Sequence, residues 1–264
     1  MAGRFVWHEL MTSDEKGAIA FYSEVVGWKT EIFGDAKGAS GEQPYTMWLG
    51  PQGPLGGVMT LPDELRKSGA PPHWMGHVEV DDVDATVAKA TSNGGSVHLP
   101  PTAIPEVGRF AIIADPQGAS LSVFKPRSAM QPHDSTRVGE IGWNELYAND
   151  GPAAFAFYRN LFGWQQLSEI DMGPHGTYII YGQGERQYGG VMTKTADMPM
   201  PPSWVYYIHV DDLDAAIARA ISNGGKKLFG PMEVPGGDIV AQLLDPQGAL
   251  FALHGPGKKG EDKR

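Results

Sequence analysis

The sequence of 264 residues is 41% hydrophobic and 20% charged, a composition typical of globular domains, and its length suffices for two of them. Its net charge of −10, without a Lys/Arg cluster outside residues 258–264, argues against nucleic acids and anionic membranes as partners. The absence of cysteine excludes disulfides and thiol chemistry, and the absence of a long apolar run or a signal core predicts a cytoplasmic protein.

The first predicted element is a strand over residues 5–11. Ser13 or Asp14 can cap the helix that follows, which has apolar residues at three-to-four spacing up to Val26. Gly27 stands where a glycine ends a helix. Three further strands are predicted near 29–33, 45–49 and 57–61.

The same plan then recurs with a strand over 74–80 and a helix over 85–92 that Asp82 or Asp84 can cap. Strands are predicted near 96–99, 109–114 and 120–124. The residues Asp115-Pro116-Gln117-Gly118 have the preferences of a type I turn between the last two strands. The pattern β-α-β-β-β thus occurs twice, and each unit has an apolar sheet face that needs a partner.

The whole arrangement is repeated in the second half of the chain. Trp7-His8-Glu9-Leu10 recurs as Trp143-Asn144-Glu145-Leu146 at an offset of 136, and the later blocks recur at offsets of 133 and then 130. Loops tolerate deletions better than packed elements, so a shrinking offset is expected of a duplicated domain. We predict a first domain over 1–126, a linker over 127–139, a second domain over 140–256 and a disordered tail over 257–264.

Four kinds of block occur in order in both copies: an Ala-Phe-Tyr with a following Gly-Trp, a Val-Asp-Asp, an Asn-Gly-Gly and an Asp-Pro-Gln-Gly, starting in the first copy at Ala20, Val80, Asn93 and Asp115. With these blocks the chain resembles the glyoxalase/bleomycin-resistance/dioxygenase family, the vicinal oxygen chelate (VOC) superfamily. The resemblance implies an α+β fold of tandem VOC domains. In each domain, two βαβββ modules form an open, cup-shaped, mixed β-barrel around a small-molecule cavity.

Many members of that family hold a divalent metal in the cup through His, Gln or Glu. The positions that the resemblance assigns to these ligands are occupied here by Trp7, Met75, Ser122, Trp143, Val205 and Ala252. These side chains do not supply the three N or O ligands that a catalytic divalent metal needs. We therefore expect no metal and no other cofactor. A register shift of one residue would put His8 at a ligand position, although Asn144 takes its place in the second copy.

Other polar residues can still carry chemistry. Side chains two residues apart on a strand share a face, so Glu9 lies with Trp7 and Glu145 lies with Trp143. We expect Glu9 near His77, and Glu145 near Tyr207, His209 or His254. The candidate catalytic residues are Glu9, Glu145, His77 and His209. The structural alternative is that the glutamates form buried hydrogen bonds without a catalytic role. For the histidines it is a core position in which their ring nitrogens are hydrogen-bonded.

The candidate ligand-binding residues are Trp7, Trp143, Met75, Tyr207, Arg109, His254, Trp74 and Trp204. Arg109 can bind an anionic group, but a surface arginine is the alternative. Trp74 and Trp204 can line a cavity mouth, with core packing as the default. Gly56-Gly57 and Gly189-Gly190 do not form a phosphate loop and instead suit a bulge or a close approach of strands.

Three functions fit this pattern. The first is a protein of the bleomycin-resistance type that binds a small organic molecule in a metal-free cavity. The second is a metal-independent lyase, isomerase or hydrolase with Glu9 or Glu145 as general base, and the third is a scaffold without a ligand. A metal-dependent glyoxalase or dioxygenase with non-standard ligands is a further alternative. The chain is expected to be a monomer with an internal pseudo-dimer, or a homodimer.

Overall fold

The computed structural model describes residues 2–34, 44–173, 176–196, 198 and 200–256, so the predicted tail over 257–264 lies outside the described residues. The elements are β1 (Phe5–Thr12), α1 (Glu15–Val26), β2 (Lys29–Phe33), β3 (Tyr45–Gly50), β4 (Gly53–Thr60), α2 (Asp63–Lys67), β5 (His73–Glu79), α3 (Val83–Ser92), β6 (Ser96–Ile104), β7 (Gly108–Ala114), β8 (Ser120–Pro126), β9 (Ile141–Ala148), α4 (Gly151–Phe162), β10 (Gln165–Asp171), β11 (Thr177–Gln183), β12 (Arg186–Thr193), β13 (Ser203–His209), α5 (Leu213–Ser222), β14 (Lys226–Glu233), β15 (Asp238–Leu244) and β16 (Leu250–Pro256). None of the helices in these ranges has the length and apolarity of a membrane span.

The strands form two eight-stranded mixed sheets, which confirms the predicted α+β class with two βαβββ modules in each copy. One sheet has the order β2-β3-β4-β1-β5-β8-β7-β6, and the other has the order β10-β11-β12-β9-β13-β16-β15-β14. The short helix α2 was not expected from the sequence. The equal strand order in both sheets is what a duplicated domain requires.

Helix ends follow local side-chain chemistry. Asp14, and not Ser13, caps α1, because its carboxylate accepts a hydrogen bond from Gly17 N at 3.0 Å. Asp82, and not Asp84, caps α3 in the same way. Gly27 ends α1 in the left-handed conformation, with φ of 76°, and its N–H donates to the carbonyl of Ser23.

Packing divides the chain into two compact units. Unit 1 is formed by the chain up to His8, by Met75–Pro132 and by Trp143–Val205. Unit 2 is formed by Glu9–Trp74, by His133–Gly142 and by the chain from Tyr206 onward. Each unit therefore joins one module of the first copy to one module of the second. This division does not test the domain limits expected from the repeat, which stay a prediction.

In unit 2, three of the repeated blocks meet where α1 packs on α5. The Tyr22 hydroxyl donates to the Asp245 carboxylate at 3.2 Å, so the Ala-Phe-Tyr block of the first copy bonds the turn of the second. Phe21 packs edge-on against Phe251 with ring centroids 5.7 Å apart. Its ring also covers Gly225, where an added Cβ would lie 3.0 Å from it. The Asn-Gly-Gly block thus leaves room for the phenylalanine of the other copy.

Unit 1 contains the reciprocal arrangement, in which α3 packs on α4. The Tyr158 hydroxyl donates to the carbonyl of Ala119 in the same turn at 3.3 Å, and it lies close enough to the Asp115 carboxylate to lower the pKa of that group. The Phe157 ring covers Gly95, and an added Cβ there would lie 3.0 Å from it. The same helix–helix interface therefore forms twice. In each case the Ala-Phe-Tyr block of one copy contacts the Asn-Gly-Gly block and the Asp-Pro-Gln-Gly turn of the other copy.

The tryptophans of the Gly-Trp blocks also bond residues from the opposite half of the chain. The Trp28 indole donates to the carbonyl of Gly139 at 2.7 Å in unit 2. The Trp164 indole donates to the carbonyl of Gly3 in unit 1. Both rings are almost completely buried, so a backbone carbonyl satisfies the one polar atom that each brings into the core.

Trp74 and Trp204 belong to the same buried clusters. Trp74 donates to the Tyr22 hydroxyl at 2.9 Å, and Trp204 donates to the Tyr158 hydroxyl at 3.3 Å. Each is only 7% exposed. Their indoles are packed behind the sheets against the first-module helices, which fits the core packing taken as the default, and a role at a cavity mouth stays a prediction.

The cap of α3 offers a direct check of this description. Replacing Asp82 by Ala removes the acceptor that lies 2.9 Å from Ala85 N, and we expect a loss of about 1 kcal/mol in the free energy of unfolding. Asp81→Ala, on the exposed neighbour, should stay within about 0.5 kcal/mol of the parent. Urea unfolding of both variants measures the difference, and equal losses would contradict the assignment of the cap.

Candidate functional site

The two faces of each sheet can be told apart by their contacts. In unit 1, Tyr181 of β11 stacks on Trp164 at 4.5 Å and thus faces helix α4. Tyr178 lies three residues earlier on the same strand and faces the opposite way. In unit 2, Trp48 of β3 packs against Tyr22 of α1. By the same parity Tyr45 turns away from that helix, and we call this side of a module its open face.

A glutamate and a tyrosine bond each other on the open face of the second copy. The Tyr178 hydroxyl donates to Glu145 Oε1 at 2.7 Å and accepts from the Trp143 indole at 2.9 Å. Trp143 and Glu145 therefore share a face, as their spacing on β9 predicts. Burial and the adjacent Glu145 carboxylate raise the pKa of Tyr178 well above its ordinary value, so the phenol keeps its proton and can donate.

The first copy has the equivalent pair in unit 2. Tyr45 hydrogen-bonds Glu9, and Oε1 of Glu9 is out of contact with solvent. Burial raises the pKa of Glu9 to about 7, although the hydrogen bond from Tyr45 partly offsets that effect. A carboxyl with a pKa near neutrality can accept and release a proton under ordinary conditions.

The second glycine of each Gly-Gly block makes these pairs possible. A Cβ added to Gly57 would overlap the Tyr45 hydroxyl, and one added to Gly190 would overlap the Tyr178 hydroxyl. Each glycine lies on β4 or β12 beside the strand that carries the tyrosine. The glycine pairs thus allow a close approach, as expected. The group that lies against each glycine is the hydroxyl of the tyrosine that bonds the glutamate.

His77 lies on the open face of β5 in unit 1. It neighbours Ser122 in the parallel register, and its ring meets Phe124 edge-on at 6.2 Å. Burial lowers its pKa to about 3, with a smaller contribution from His8, so it stays neutral near physiological pH. Glu9 belongs to unit 2, and its expected proximity to His77 stays a prediction.

Tyr207, His209 and His254 share the open face of the last module in unit 2. The amide of Gln242 donates to the Tyr207 hydroxyl at 2.9 Å. The rings of His209 and His254 stack with centroids 4.7 Å apart. Glu145 belongs to unit 1, where Tyr178 is its hydrogen-bond partner, and its expected proximity to these side chains stays a prediction.

Two other candidates make polar contacts of their own. The Arg109 guanidinium binds the Asp84 carboxylate through two hydrogen bonds of 2.7 and 2.8 Å on the exposed surface. This is the surface position that the sequence left open as the alternative, and ligand binding by Arg109 stays a prediction. His8 bonds Asn144 at 2.9 Å in a buried contact on the face opposite Glu9 and Glu145.

The positions that the family uses for metal ligands do not fit a divalent cation. Their residues are Trp7, Met75, Ser122, Trp143, Val205 and Ala252, of which Met75, Ser122, Val205 and Ala252 are buried. No three His, Asp or Glu side chains in the described part of the chain converge in a way that could hold a metal. The donor set at these positions therefore does not match the N and O ligands of a catalytic metal.

With this geometry in hand, the family can be stated. A model of the Glyoxalase/Bleomycin resistance protein/Dioxygenase superfamily matches residues 4–123 and again residues 140–253. The chain belongs to this superfamily, with one copy of its domain in each half, and the predicted tandem VOC fold is confirmed. Since members differ in chemistry, membership alone does not define the reaction.

Relatives of known name match almost the whole chain. The putative glyoxylase CFP32 of Mycobacterium bovis is 32% identical over 251 residues, which cover 95% of this chain and 94% of the relative. The anthracycline biosynthesis protein DnrV of Streptomyces peucetius is 29% identical over 269 residues, with coverages of 95% and 92%.

Solved structures share the fold at low identity. The 2,3-dioxygenase LapB of Pseudomonas sp. KL28 superimposes with a TM-score of 0.65 at 13% identity, covering 97% of this chain and 94% of that one. The Mn(II)-bound glyoxalase of Novosphingobium aromaticivorans gives 0.62 at 14% identity, with coverages of 96% and 82%. These similarities establish the architecture.

Tyr45 and Tyr178 are the site residues that sequence reasoning missed. They stand at the repeat offset of 133, on the strand that pairs with the Gly-Gly strand of each copy. The repeated tyrosine beside a repeated glycine was the signal that could have indicated them. Nothing in the first strand alone points to a phenol as the partner of its glutamate.

The raised pKa of Glu9 has a consequence for stability. An unfolded glutamate titrates near its ordinary value of about 4.3, so between that value and about 7 the folded chain binds more protons than the unfolded chain. Stability therefore falls as the pH rises through this window. Glu9→Gln removes the cost of charging this side chain, and its stability relative to the parent should improve by about 3 kcal/mol between pH 4 and pH 8.

Urea unfolding across this pH range measures the effect. Glu24→Gln, on the exposed side of α1, is the matched control and should follow the parent at every pH. A Glu9→Gln curve parallel to that of the parent would show that Glu9 titrates normally.

Proposed function

We propose that this chain is a glyoxalase-like protein that binds a small organic molecule at its glutamate–tyrosine pairs without using a metal. The observation that carries the proposal is the repetition of one polar arrangement on the open faces of both copies. In each, a carboxyl and a phenol bond each other over a glycine that has no side chain to displace them. Convergent polar groups of this kind fix the orientation of a ligand.

The neighbouring aromatic residues favour a flat, largely apolar ligand. Trp143 donates to Tyr178 and shares the face of Glu145, and Trp7 stands two residues from Glu9 on β1. Aromatic side chains offer a large apolar contact area at a small cost in conformational entropy. One relative is named for anthracycline biosynthesis, which concerns small organic molecules and supports this ligand class.

A specific observation favours a second candidate, a metal-independent proton-transfer enzyme with Glu9 as general base. The pKa of Glu9 is raised to about 7 by burial, which suits a group that must both take up and release a proton at neutral pH. In this candidate Tyr45 keeps the carboxyl oriented and donates to the charged form. The proposed binding face is the same in both cases.

Binding can be tested with 1,4-dihydroxyanthraquinone as a flat aromatic probe, read by quenching of tryptophan fluorescence. Tyr45→Phe and Tyr178→Phe should each weaken binding at their own copy by about tenfold, the equivalent of one hydrogen bond worth about 1.4 kcal/mol. Tyr188→Phe, whose hydroxyl bonds Gln183 instead of a glutamate, should bind like the parent. Equal affinities for all variants would contradict the proposed face.

Metal removal provides a separate test. Dialysis of the full chain against EDTA should leave binding of the same probe unchanged, because no family ligand position carries a suitable donor set. A loss of binding that Mn²⁺ or Zn²⁺ restores would contradict metal-free binding.

The enzyme and the binding protein differ in their response to Glu9→Gln. A binding protein keeps most of its affinity, because the amide preserves shape and can still bond Tyr45. A general-base enzyme loses exchange of the α-hydrogens of hydroxyacetone with D₂O, which proton NMR follows directly. Parent protein that catalyses no exchange above buffer would leave binding as the supported function.

A further inference from the structure

The last module of the chain holds polar side chains that the glutamate–tyrosine pairs do not use. Phe251 of β16 packs on the helix side against Phe21. His254 lies three residues further along the strand and therefore occupies the open face. His209 of β13 stands opposite His254 in the parallel register. Glu140 pairs through its backbone with His209, which brings its side chain to the same region.

These residues form what we call the histidine cluster, with Glu140, His209 and His254 at its centre. The Asp238 carboxylate lies 3.0 Å from His254 Nδ1, and Glu140 Oε2 lies 2.8 Å from His133 Nδ1. The imidazoles of His209 and His254 stack at 4.7 Å with an interplanar angle of 21°. All of these contacts lie within unit 2.

Asp238 sets the tautomer of His254. A carboxylate only accepts, so Nδ1 of His254 carries the proton and Nε2 of the neutral ring presents a lone pair. Burial lowers the pKa of His254, with Asp238 opposing and His209 reinforcing this effect, so the neutral form prevails near physiological pH. His254 Nε2 is therefore a hydrogen-bond acceptor.

Three buried atoms of the cluster lack a hydrogen-bond partner among the described residues: Glu140 Oε1, His209 Nδ1 and His254 Nε2. A buried polar atom without a partner is destabilising, and such atoms are rare in native proteins. Two of these atoms belong to the stacked imidazoles, and the third belongs to Glu140, whose backbone pairs with His209, so the group indicates a site whose partner comes from outside the chain. Gly142 makes room for the His254 ring itself, because an added Cβ would lie 2.5 Å from His254 Nε2.

In the first copy, two of the corresponding residues form an ion pair with each other. Glu140 corresponds to Arg4, His209 to Glu79 and His254 to Phe124 at the repeat offsets of 136 and 130. Arg4 and Glu79 bind each other at 2.7 Å in unit 1, so these charges satisfy one another. The second copy has replaced a self-contained ion pair by acceptors.

The charges and geometry limit what that ligand can be. Two carboxylates, Glu140 and Asp238, disfavour an anion. The side chains of the described residues do not converge on a metal position. We propose that the histidine cluster is a second binding site, for a small neutral molecule that donates at least two hydrogen bonds, such as a diol or a diphenol. The site shares no residue with the glutamate–tyrosine pairs and does not depend on their proposed role.

The test uses the full chain with ¹⁵N-labelled histidine and two probes of the same ring, resorcinol and 1,3-dimethoxybenzene. Resorcinol, which has two donors, should shift the Nε2 signal of His254, and the dimethyl ether, which has none, should not. His254→Phe, the residue of the first copy, should weaken resorcinol binding at least tenfold by calorimetry, equivalent to one hydrogen bond of about 1.4 kcal/mol. His98→Phe, on the exposed face of β6, is the matched control and should bind like the parent.

Glu140→Gln is the second variant if His254→Phe does not fold, because it preserves shape while turning one acceptor into a donor. It should also weaken resorcinol binding. A parent protein that responds equally to both probes or to neither, or variants that bind like the parent, would overturn the proposal. Binding of Zn²⁺ that shifts both His209 and His254 would overturn it as well, because the cluster would then be a metal site. Failure here leaves the tests of Tyr45 and Tyr178 unaffected.

Discussion

A tyrosine hydroxyl buried against a turn aspartate is the contact on which the architecture depends. Tyr22 donates to Asp245 in unit 2, and Tyr158 lies beside Asp115 in unit 1 and donates to Ala119 of the same turn. Burial raises the pKa of both aspartates, and backbone N–H groups of their own turns offset part of that cost. A hydrogen bond to a buried carboxylate contributes about 1.5–3 kcal/mol, and here it also fixes which modules pack together. The repeated blocks are therefore structural, and chemistry must be sought elsewhere.

The modules of each unit pack together through their helices, α1 on α5 and α3 on α4. The open faces take no part in this packing, so their residues are free to differ. The glutamate–tyrosine pair is retained in both copies together with the glycine that accommodates it. The second modules have diverged, with an Arg4–Glu79 ion pair in one copy and the histidine cluster in the other. The first modules of the two copies thus keep a common polar pair, while the second modules differ in their polar side chains.

The sequence predicted most of the strands and helices, because a repeat supplies each pattern twice. Strand periodicity also placed Trp143 beside Glu145 correctly. It did not predict Tyr178 as the partner of Glu145, because that contact depends on a hairpin register and on a glycine of a third strand. The sequence also could not choose between core packing and a cavity position for Trp204, because one strand position cannot tell a core indole from a cavity indole when both faces are partly apolar.

The exchange of modules between copies also governs how the chain can reach its native state. Tyr22 and Asp245 are separated by 223 positions, so the contact that closes unit 2 joins nearly opposite ends of the polypeptide. Contacts of such long sequence separation slow folding, because chain entropy is lost before they form. During synthesis α1 emerges long before its partner α5. The aromatic side chains of α1 therefore stay exposed to solvent until α5 has been made. A nascent chain of this design therefore relies on late closure, and aggregation competes with it until the final strands have been made.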